Sequence, residues 1–273
     1  QAFMNDEFKG RVLAVAGSDS GGGAGIQADI KTITALGAYA ATAITALTVQ
    51  DTHGVKDVFP VPVEIIRAQM KAVLGDIGAD AIKTGMLATA EVIEAVAEEA
   101  DAYDAPAALI VDPVMVAKGG SPLLEPSAIE ALKKVLFPFA DIVTPNMPEA
   151  AALTGLQVES VEEQKRAGEA ILEMGALAVL VKGGHGTGET VQDVLVTGET
   201  IQVMTSPRID TRHTHGTGCT LASAIAAGLS FGLDLSEAVL QARDYVHEAI
   251  ALAPGFGGGH GPLNHGFTFS QGE

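Results

Sequence analysis

Short β-rich apolar runs alternate with helical patterns along this chain, and no other feature constrains the fold more. Each apolar run ends in glycine or polar residues, and the segments between them place apolar residues three and four positions apart. The predicted strands are 11–16, 41–49, 81–84, 108–111, 141–144, 178–182, 190–196 and 200–204. The predicted helices are 24–36, 63–74, 90–99, 127–136, 160–174, 220–229 and 236–251. This order predicts an α/β fold, a three-layer α/β/α sandwich whose mostly parallel sheet carries helices on both faces.

The last two predicted strands are separated only by Thr197-Gly198-Glu199, which predicts a hairpin and hence an antiparallel edge of the sheet. No linker or repeat divides the chain, so residues 11–273 are predicted to form one domain. Residues 1–10 are predicted to be a disordered N-terminus. Within them, residues 1–3 are interpreted as a tag remnant before a natural start at Met4.

Composition excludes several classes of partner. The chain carries 16 Lys and Arg against 34 Asp and Glu, a net charge of −18, which argues against nucleic-acid binding and against anionic lipid surfaces. No apolar run approaches the ~18 residues of a membrane span, and no secretory leader is recognised. A single cysteine excludes an internal disulfide and is typical of a reducing cytosol, so a cytoplasmic location is expected.

The stretch from Asp210 to Ser223 predicts a phosphate site. Gly216, Thr217 and Gly218 precede a predicted apolar helix, and Cys219, the only cysteine, stands at the turn between them. The first amides of a helix lack internal partners and lie at the positive end of its dipole, so an anion such as phosphate fits there. In the same field a thiol should ionise more readily than a free one. A low-pKa thiolate would accept a proton from a substrate hydroxyl or act as a nucleophile.

A second glycine-rich turn, Gly17–Gly25, follows the first predicted strand. Residues 23–28 satisfy the loose dinucleotide fingerprint G-x-G-x-x-G/A, which leaves open a dinucleotide-dependent oxidoreductase as well as a plain strand–helix turn. The acid expected about 20 residues later is Asp51, somewhat late in the sequence. Asp29, one helical turn inside, either points toward a ligand or stabilises the helix dipole.

Polar residues also follow three other predicted strands. Asp112 is placed to hold Mg²⁺ through water beside a nucleotide phosphate, or it is a turn residue. A helix is predicted to start at Asn146, and Glu149 lies three residues further on. The two side chains are expected either to reach the same metal or to form a helix cap. Lys182, above two glycines, contacts phosphate or is solvated. Because ligands bind beyond the carboxyl ends of parallel strands, these residues are predicted to meet at one site.

Three further side chains have a structural and a functional interpretation. Gln50 is placed to hydrogen-bond a heterocycle, and Met86 either packs in the core or lines a ligand pocket. His213 and His215, two apart and without further ligands, do not predict a metal site.

Seven motifs, in order and across essentially the whole chain, resemble hydroxymethylpyrimidine/phosphomethylpyrimidine kinases, the thiamine-biosynthesis branch of the ribokinase-like superfamily. They are residues 16–29, 82–87, 112–115, 144–150, 181–185, 214–220 and 259–265. Position 51 departs from the family, which often has Asn there. The resemblance implies a single α/β/α domain, usually a homodimer, that uses ATP and Mg²⁺. Its implied substrates are 4-amino-5-hydroxymethyl-2-methylpyrimidine and the monophosphate of that compound.

The resemblance also implies roles for individual residues. Cys219 is the implied catalytic base, and the amides of Gly216, Thr217, Gly218 and Cys219 form the implied anion hole. The implied pyrimidine-binding residues are Asp29, Gln50, Met86, Gly23, Ala24 and Gly25. The implied Mg²⁺ residues are Asp112, Asn146 and Glu149, and the implied nucleotide-binding residues are Lys182, Thr214 and Arg243. Pyridoxal or pyridoxine remains an alternative substrate, since each is also a flat aza-aromatic ring with a hydroxymethyl arm; a non-catalytic pyrimidine-binding protein is a further alternative.

Overall fold

Nine strands form one sheet in the part of the chain that the computed structural model describes, which is Phe8 and residues 10–270. The strands are β1 (Arg11–Asp19), β2 (Tyr39–Asp51), β3 (Gly54–Pro60), β4 (Ala81–Thr84), β5 (Ala108–Val111), β6 (Ile142–Val143), β7 (Ala178–Val181), β8 (Thr190–Thr197) and β9 (Ile201–Pro207). The α-helices are α1 (Gly25–Ala35), α2 (Val63–Asp76), α3 (Ala90–Asp101), α4 (Ala128–Ala131), α5 (Met147–Thr154), α6 (Val161–Leu172), α7 (Thr217–Ser230) and α8 (Leu235–Ala251). The interpretation of residues 1–3 as a tag remnant lies outside the described residues. Gly10 is buried, and its carbonyl accepts a hydrogen bond from the Tyr39 amide. Gly10 therefore already belongs to the folded domain.

The sheet is parallel in its centre and antiparallel at both ends. Its order is β3-β2-β1-β4-β5-β6-β7-β8-β9, with parallel pairing from β2 through β7. The predicted hairpin is present as β8 and β9. Strand β3, antiparallel to β2, was not predicted. Most of its residues are exposed, so it lacks the apolar alternation by which a half-buried strand is recognised.

Each face of the sheet has its own core. Neighbouring residues of β1 show the alternation: Val12 belongs to the core that includes α7 and α8 on one face, and Leu13 belongs to the core that includes α2, α3 and α6 on the other. Residues Thr220 to Gly228 of α7 are all buried, so this helix lies centrally on its face. The parallel strands therefore hold the beginning of α7 at their carboxyl edge.

Two helices differ from their predicted form, and the difference at α7 bears on the site. Helix α7 begins at Thr217 and not at residue 220, because Gly216 adopts a left-handed conformation (φ 83°) and caps it. Cys219 thus lies inside the first helical turn. The helix predicted at 127–136 is α-helical only to Ala131 and continues as a π-helical turn, Leu132–Leu136. Among the helices of the described residues, none has both the length and the apolar character needed to cross a membrane.

Candidate active site

Two adjoining clefts open at the carboxyl edge of the sheet. The larger has a volume of about 700 Å³ and is lined by the ends of β1, β2, β4 and β5 and by the start of α7. The smaller, about 280 Å³, lies between the β8–β9 hairpin and helices α7 and α8. Residues that line both clefts are Lys118, Asn146, Lys182, His185, Thr214, Thr217 and Gly218. The two spaces therefore meet at the beginning of α7, where the sequence predicts a phosphate site.

The start of α7 offers unpaired main-chain donors. Thr217 N–H is bonded to the Thr214 carbonyl at 3.3 Å, and Thr220 N–H makes the first helical bond to Gly216 at 2.9 Å. Between them, the amides of Gly218 and Cys219 have no hydrogen-bond partner among the described residues. A Cβ atom at Gly218 would stand 3.1 Å from Lys182 Nζ, so the ammonium group lies directly beside this turn. Two amides without partners and a cation therefore lie side by side at the beginning of α7.

Lys182 is held by the carboxylate predicted to organise Mg²⁺. Its Nζ lies 3.3 Å from Asp112 Oδ1, which also accepts a hydrogen bond from Thr144 Oγ1 at 3.2 Å. Burial lowers the pKa of Lys182, but the carboxylates of Asp112 and Glu149 outweigh it and the pKa is raised. Lys182 therefore remains a cation at the junction of the two clefts.

Glu149 and Asn146 form the helix cap that is one of their two predicted roles, and their predicted contact with Mg²⁺ stays a prediction. The Asn146 side chain accepts from Glu149 N–H and the Glu149 side chain accepts from Asn146 N–H, each at 2.8 Å, so they form a reciprocal helix cap. Both also line the larger cleft. Burial raises the pKa of Glu149 to about 7; Asp112 adds to the rise, whereas Lys182 opposes it. The carboxyl groups of Asp112 and Glu149 are thus close enough for the charge of Asp112 to raise the pKa of Glu149.

This donor set suits Mg²⁺. Across the described residues, no group of three or more His, Cys, Asp or Glu side chains is arranged to hold a metal ion by protein ligands alone. Mg²⁺ commonly binds through one or two carboxylates and completes its shell with water and substrate phosphate. Asp112 and Glu149, with Asn146 beside them, fit that pattern.

Cys219 lines the larger cleft and is partly exposed, but its sulfur is not a low-pKa thiolate. Burial raises the pKa of the thiol to about 11, and the charges of Asp29 and Asp112 add to the rise. Lys83 and the Gly25 amide oppose it without overcoming it. The expectation that the helix terminus makes this thiol ionise readily is therefore wrong, because removal of the sulfur from water outweighs the favourable field.

Asp29 lies beneath the site and lines neither cleft. It is fully buried, and its Oδ1 accepts from Lys83 Nζ at 2.8 Å and from Ser223 Oγ at 2.6 Å. Its other oxygen has no partner among the described residues. The structure thus pairs Asp29 with Lys83 and Ser223 away from both clefts, and its predicted contact with substrate stays a prediction.

The other predicted pyrimidine-binding residues lie along the larger cleft, with one exception. Ala24, Gly25, Gln50 and Met86 line it. Gln50 Oε1 accepts from Thr48 Oγ1 at 3.2 Å, and Gln50 Nε2 lies 3.4 Å from His215 Nε2. Gly23 does not line the cleft.

Asp19 is a site residue that sequence reasoning missed. Its Oδ1 accepts from Gly21 N–H at 2.7 Å, and its Oδ2 accepts from Gly23 at 3.0 Å and Ala24 at 2.8 Å. The carboxylate therefore fills the amide nest at the start of α1, where a dinucleotide would place its pyrophosphate. This arrangement disfavours the oxidoreductase alternative. The available signal is an acidic residue at the end of β1, two positions before the first glycine of the run Gly21–Gly23.

Thr214 and Arg243 both line the smaller cleft, and their predicted contact with nucleotide stays a prediction. Arg243 is also tied to the hairpin: its Nε lies 2.8 Å from Asp193 Oδ2, and its NH2 group donates to the Met204 carbonyl at 3.2 Å. The wall formed by α7 and α8 is apolar, with Leu221, Val246 and Ile250.

This fold, with unpaired amides beside Lys182 and two carboxyl groups at the sheet edge, defines a phosphotransferase of the ribokinase-like class. Residues 19–264 match the family described as Phosphomethylpyrimidine kinase. The hydroxymethylpyrimidine/phosphomethylpyrimidine kinase of Streptomyces coelicolor is 49% identical over 260 residues, which cover 95% of this chain and 96% of that protein. The chain belongs to the phosphomethylpyrimidine kinase family, which confirms the resemblance seen in its motifs.

Solved structures agree on the fold. The pyridoxal kinase of Staphylococcus aureus in complex with pyridoxal superposes with a TM-score of 0.89 at 38% identity, covering 97% of this chain and 96% of that one. The phosphomethylpyrimidine kinase of Clostridium difficile 630 superposes with a TM-score of 0.78 at 44% identity, covering 88% of this chain and 99% of that one. The S. aureus enzyme has also been solved with ADP and with AMP-PCP.

Proposed function

We propose that this protein transfers the γ-phosphoryl group of ATP to 4-amino-5-hydroxymethyl-2-methylpyrimidine, and then to the resulting monophosphate, in thiamine biosynthesis. The observation that carries the proposal is the meeting of two clefts at Gly218, where two amides have no partner. A donor bound in one cleft and an acceptor bound in the other would bring the migrating group to these amides.

The linings support an assignment of one substrate to each cleft. In the smaller cleft, the apolar side chains of Leu221, Val246 and Ile250 suit the flat base of a nucleotide. In the larger cleft, the Gln50 amide and the Met86 side chain suit a polar heterocycle. Binding of nucleotides and of pyridoxal by the S. aureus relative supports the same two-substrate arrangement.

The chemistry needs positioning and charge neutralisation more than a strong base, because phosphoryl transfer passes through a loose transition state. The amides of Gly218 and Cys219, with Lys182, would stabilise negative charge on the moving group. Asp112, Asn146 and Glu149 would hold Mg²⁺, which neutralises phosphate charge. Cys219 would take the proton of the acceptor hydroxyl in its thiolate form, which is the minor form because burial raises the pKa of the thiol to about 11. A cation that balances Asp112 removes one of the charges that raise the pKa of this thiol.

The test offers Mg-ATP with the pyrimidine alcohol, its monophosphate and pyridoxal in separate reactions and identifies the products by mass. We expect a pyrimidine monophosphate from the first and a diphosphate from the second. Faster formation of pyridoxal phosphate would favour the alternative that the high structural similarity to S. aureus pyridoxal kinase raises. Binding of ligands without any transfer would indicate a non-catalytic protein.

The same proposal includes a homodimer in the cytoplasm. Leu47 and Phe59 pair across β2 and β3, and with Val49 they form an apolar face that is 47%, 66% and 55% exposed, respectively. A second copy of the chain would cover this face. Sedimentation of the protein at micromolar concentration should give the dimer mass, and Phe59→Glu should shift it toward the monomer. A wild-type monomer would refute this part of the proposal.

A further inference from the structure

The two glycine-rich turns of this protein are in direct backbone contact. A Cβ atom at Gly216 would stand only 1.7 Å from the Gly23 carbonyl oxygen, and one at Gly23 would stand 2.6 Å from the His215 ring. Gly23 belongs to the turn before α1, and this turn borders the larger cleft. Gly216 caps α7. The acceptor side and the phosphate side of the site therefore share one packing contact.

A single buried carboxylate joins these turns by hydrogen bonds. His215 Nε2 lies 2.9 Å from Asp19 Oδ2, the same oxygen that accepts from Gly23 and Ala24. Asp19 and His215 are 3% and 7% exposed, so water does not compete strongly for this contact. Gln27 fixes the other side of Asp19 by accepting from its amide at 2.8 Å. His215 directly precedes Gly216, so its position sets where α7 begins.

We propose that Asp19 and His215 are positioning residues, which fix the unpaired amides of α7 at the distance from the acceptor cleft that phosphoryl transfer requires. This inference rests on the proposed function. Neither residue needs to touch the reacting atoms. Their link spans two segments that are 196 positions apart in the chain. Among the described residues, the one other side-chain hydrogen bond between residues 17–25 and residues 215–219 joins the Gly25 amide to the Cys219 sulfur.

The expected size of the effect follows from the reaction. Transfer depends on reacting atoms held close to their productive separation, and a misplacement of about 1 Å costs about 100-fold in rate. Loss of the link would let the two turns shift independently, whereas the smaller cleft would keep its lining and the larger cleft would lose only the His215 side chain from its own. Turnover should therefore fall much more than the affinity for either substrate.

Three variants separate positioning from stability. His215→Leu removes the donor, and His215→Gln keeps an N–H near the position of Nε2. His265→Gln is the matched control, because His265 is a buried histidine that contacts α7 through Thr220 (2.9 Å) and lines neither cleft. Each variant is compared with wild type for turnover at saturating substrates, for the KM of both substrates and for thermal unfolding.

We expect His215→Leu to lower kcat by about 100-fold with KM values within about threefold of wild type. His215→Gln should recover most of the lost kcat, and His265→Gln should lower the melting temperature without a matching loss of kcat. Equal losses of kcat in His215→Leu and His265→Gln would show a stability effect only. A rise in the KM of the pyrimidine that His215→Gln does not repair would show direct substrate contact. Either result would overturn the proposal.

An activity-independent measurement keeps this test separate from that of the proposed function. Hydrogen exchange of full-length His215→Leu, well below its melting temperature, should accelerate both in peptides covering residues 17–27 and in those covering 211–219. Exchange confined to the second segment would overturn the link, whichever substrate the enzyme uses. If both segments respond but wild type transfers no phosphate, the link stands and the proposed function fails.

Discussion

The turn before α1 and the turn before α7 have similar sequences, but the amides of the first are hydrogen-bonded to a carboxylate whereas two amides of the second have no partner among the described residues. Both are glycine-rich, both open a helix at the carboxyl edge of the sheet, and both predict an anion site from their pattern. In the first turn, Asp19 accepts from three amides. In the second, the Gly218 and Cys219 amides have no partner among the described residues. A glycine pattern thus predicts a nest of amides, but an internal carboxylate decides whether a ligand finds them free.

The largest expected effect comes from closing the free nest. Gly218→Val places carbon atoms beside Lys182 Nζ, which is 3.1 Å from the Cβ position, and so blocks the path of the phosphoryl group. We expect turnover to fall by more than about 10³-fold, comparable to the loss of an oxyanion hole. A coupled ADP-release assay measures it. Gly75→Val, at an α2 position with open space around it, serves as the steric control. Retained activity in Gly218→Val would place the anion site elsewhere.

The next effect concerns the side chain in the free nest. Cys219→Ala should lower kcat by about 10²–10³-fold, because the acceptor hydroxyl loses its proton acceptor. The amide at position 219 remains, so the affinity for ATP measured by calorimetry should change by no more than about threefold. Near-wild-type turnover would contradict the base role of this residue.

The pH dependence of Cys219 reactivity sharpens the contrast between the helix field and burial. Since burial raises the pKa of this thiol to about 11 from its usual 9.0, the thiolate is scarce at neutral pH. It becomes about tenfold more abundant with each unit by which the pH rises toward that value. Alkylation by iodoacetamide should be about 100-fold slower than for a free cysteine at pH 7.5. Its rate should rise about tenfold per pH unit up to pH 10. A plateau below pH 8 would show that the helix field prevails after all.

The smallest expected effect comes from freeing the amides of the first turn that Asp19 now occupies. Asp19→Ala frees the amides of Gly21, Gly23 and Ala24, so a small anion should bind there. Sulfate at ten times its dissociation constant should stabilise this variant by about 1.4 kcal/mol more than wild type, measured by thermal unfolding. Asp19→Asn, which keeps an acceptor in place, is the matched control. An equal response to sulfate in all three proteins would show that the first turn does not bind anions.

Several elements were predictable because a local pattern fixed them. Strands β4 and β5 have their predicted bounds, since short apolar runs end at Gly85 and Asp112. Strand β3 was not predictable, because pairing with β2 stabilises it and its own pattern does not. Asp29 illustrates the same limit within the site: its position in the first turns of α1 was clear, but the buried partners Lys83 and Ser223 come from distant segments.

The sequence by itself determined the alternating fold, the family and the convergence of polar strand ends at one edge, because periodicity and motif spacing are local properties of the chain. Tertiary structure decided which glycine turn is open, where Cys219 lies in its helix and how strongly its sulfur is withdrawn from water. Those outcomes depend on which charges and hydrogen-bond donors the folded chain brings within a few ångströms of each other. Asp19 and His215 show this: they are in contact, but their separation along the sequence does not reveal how close they are in space.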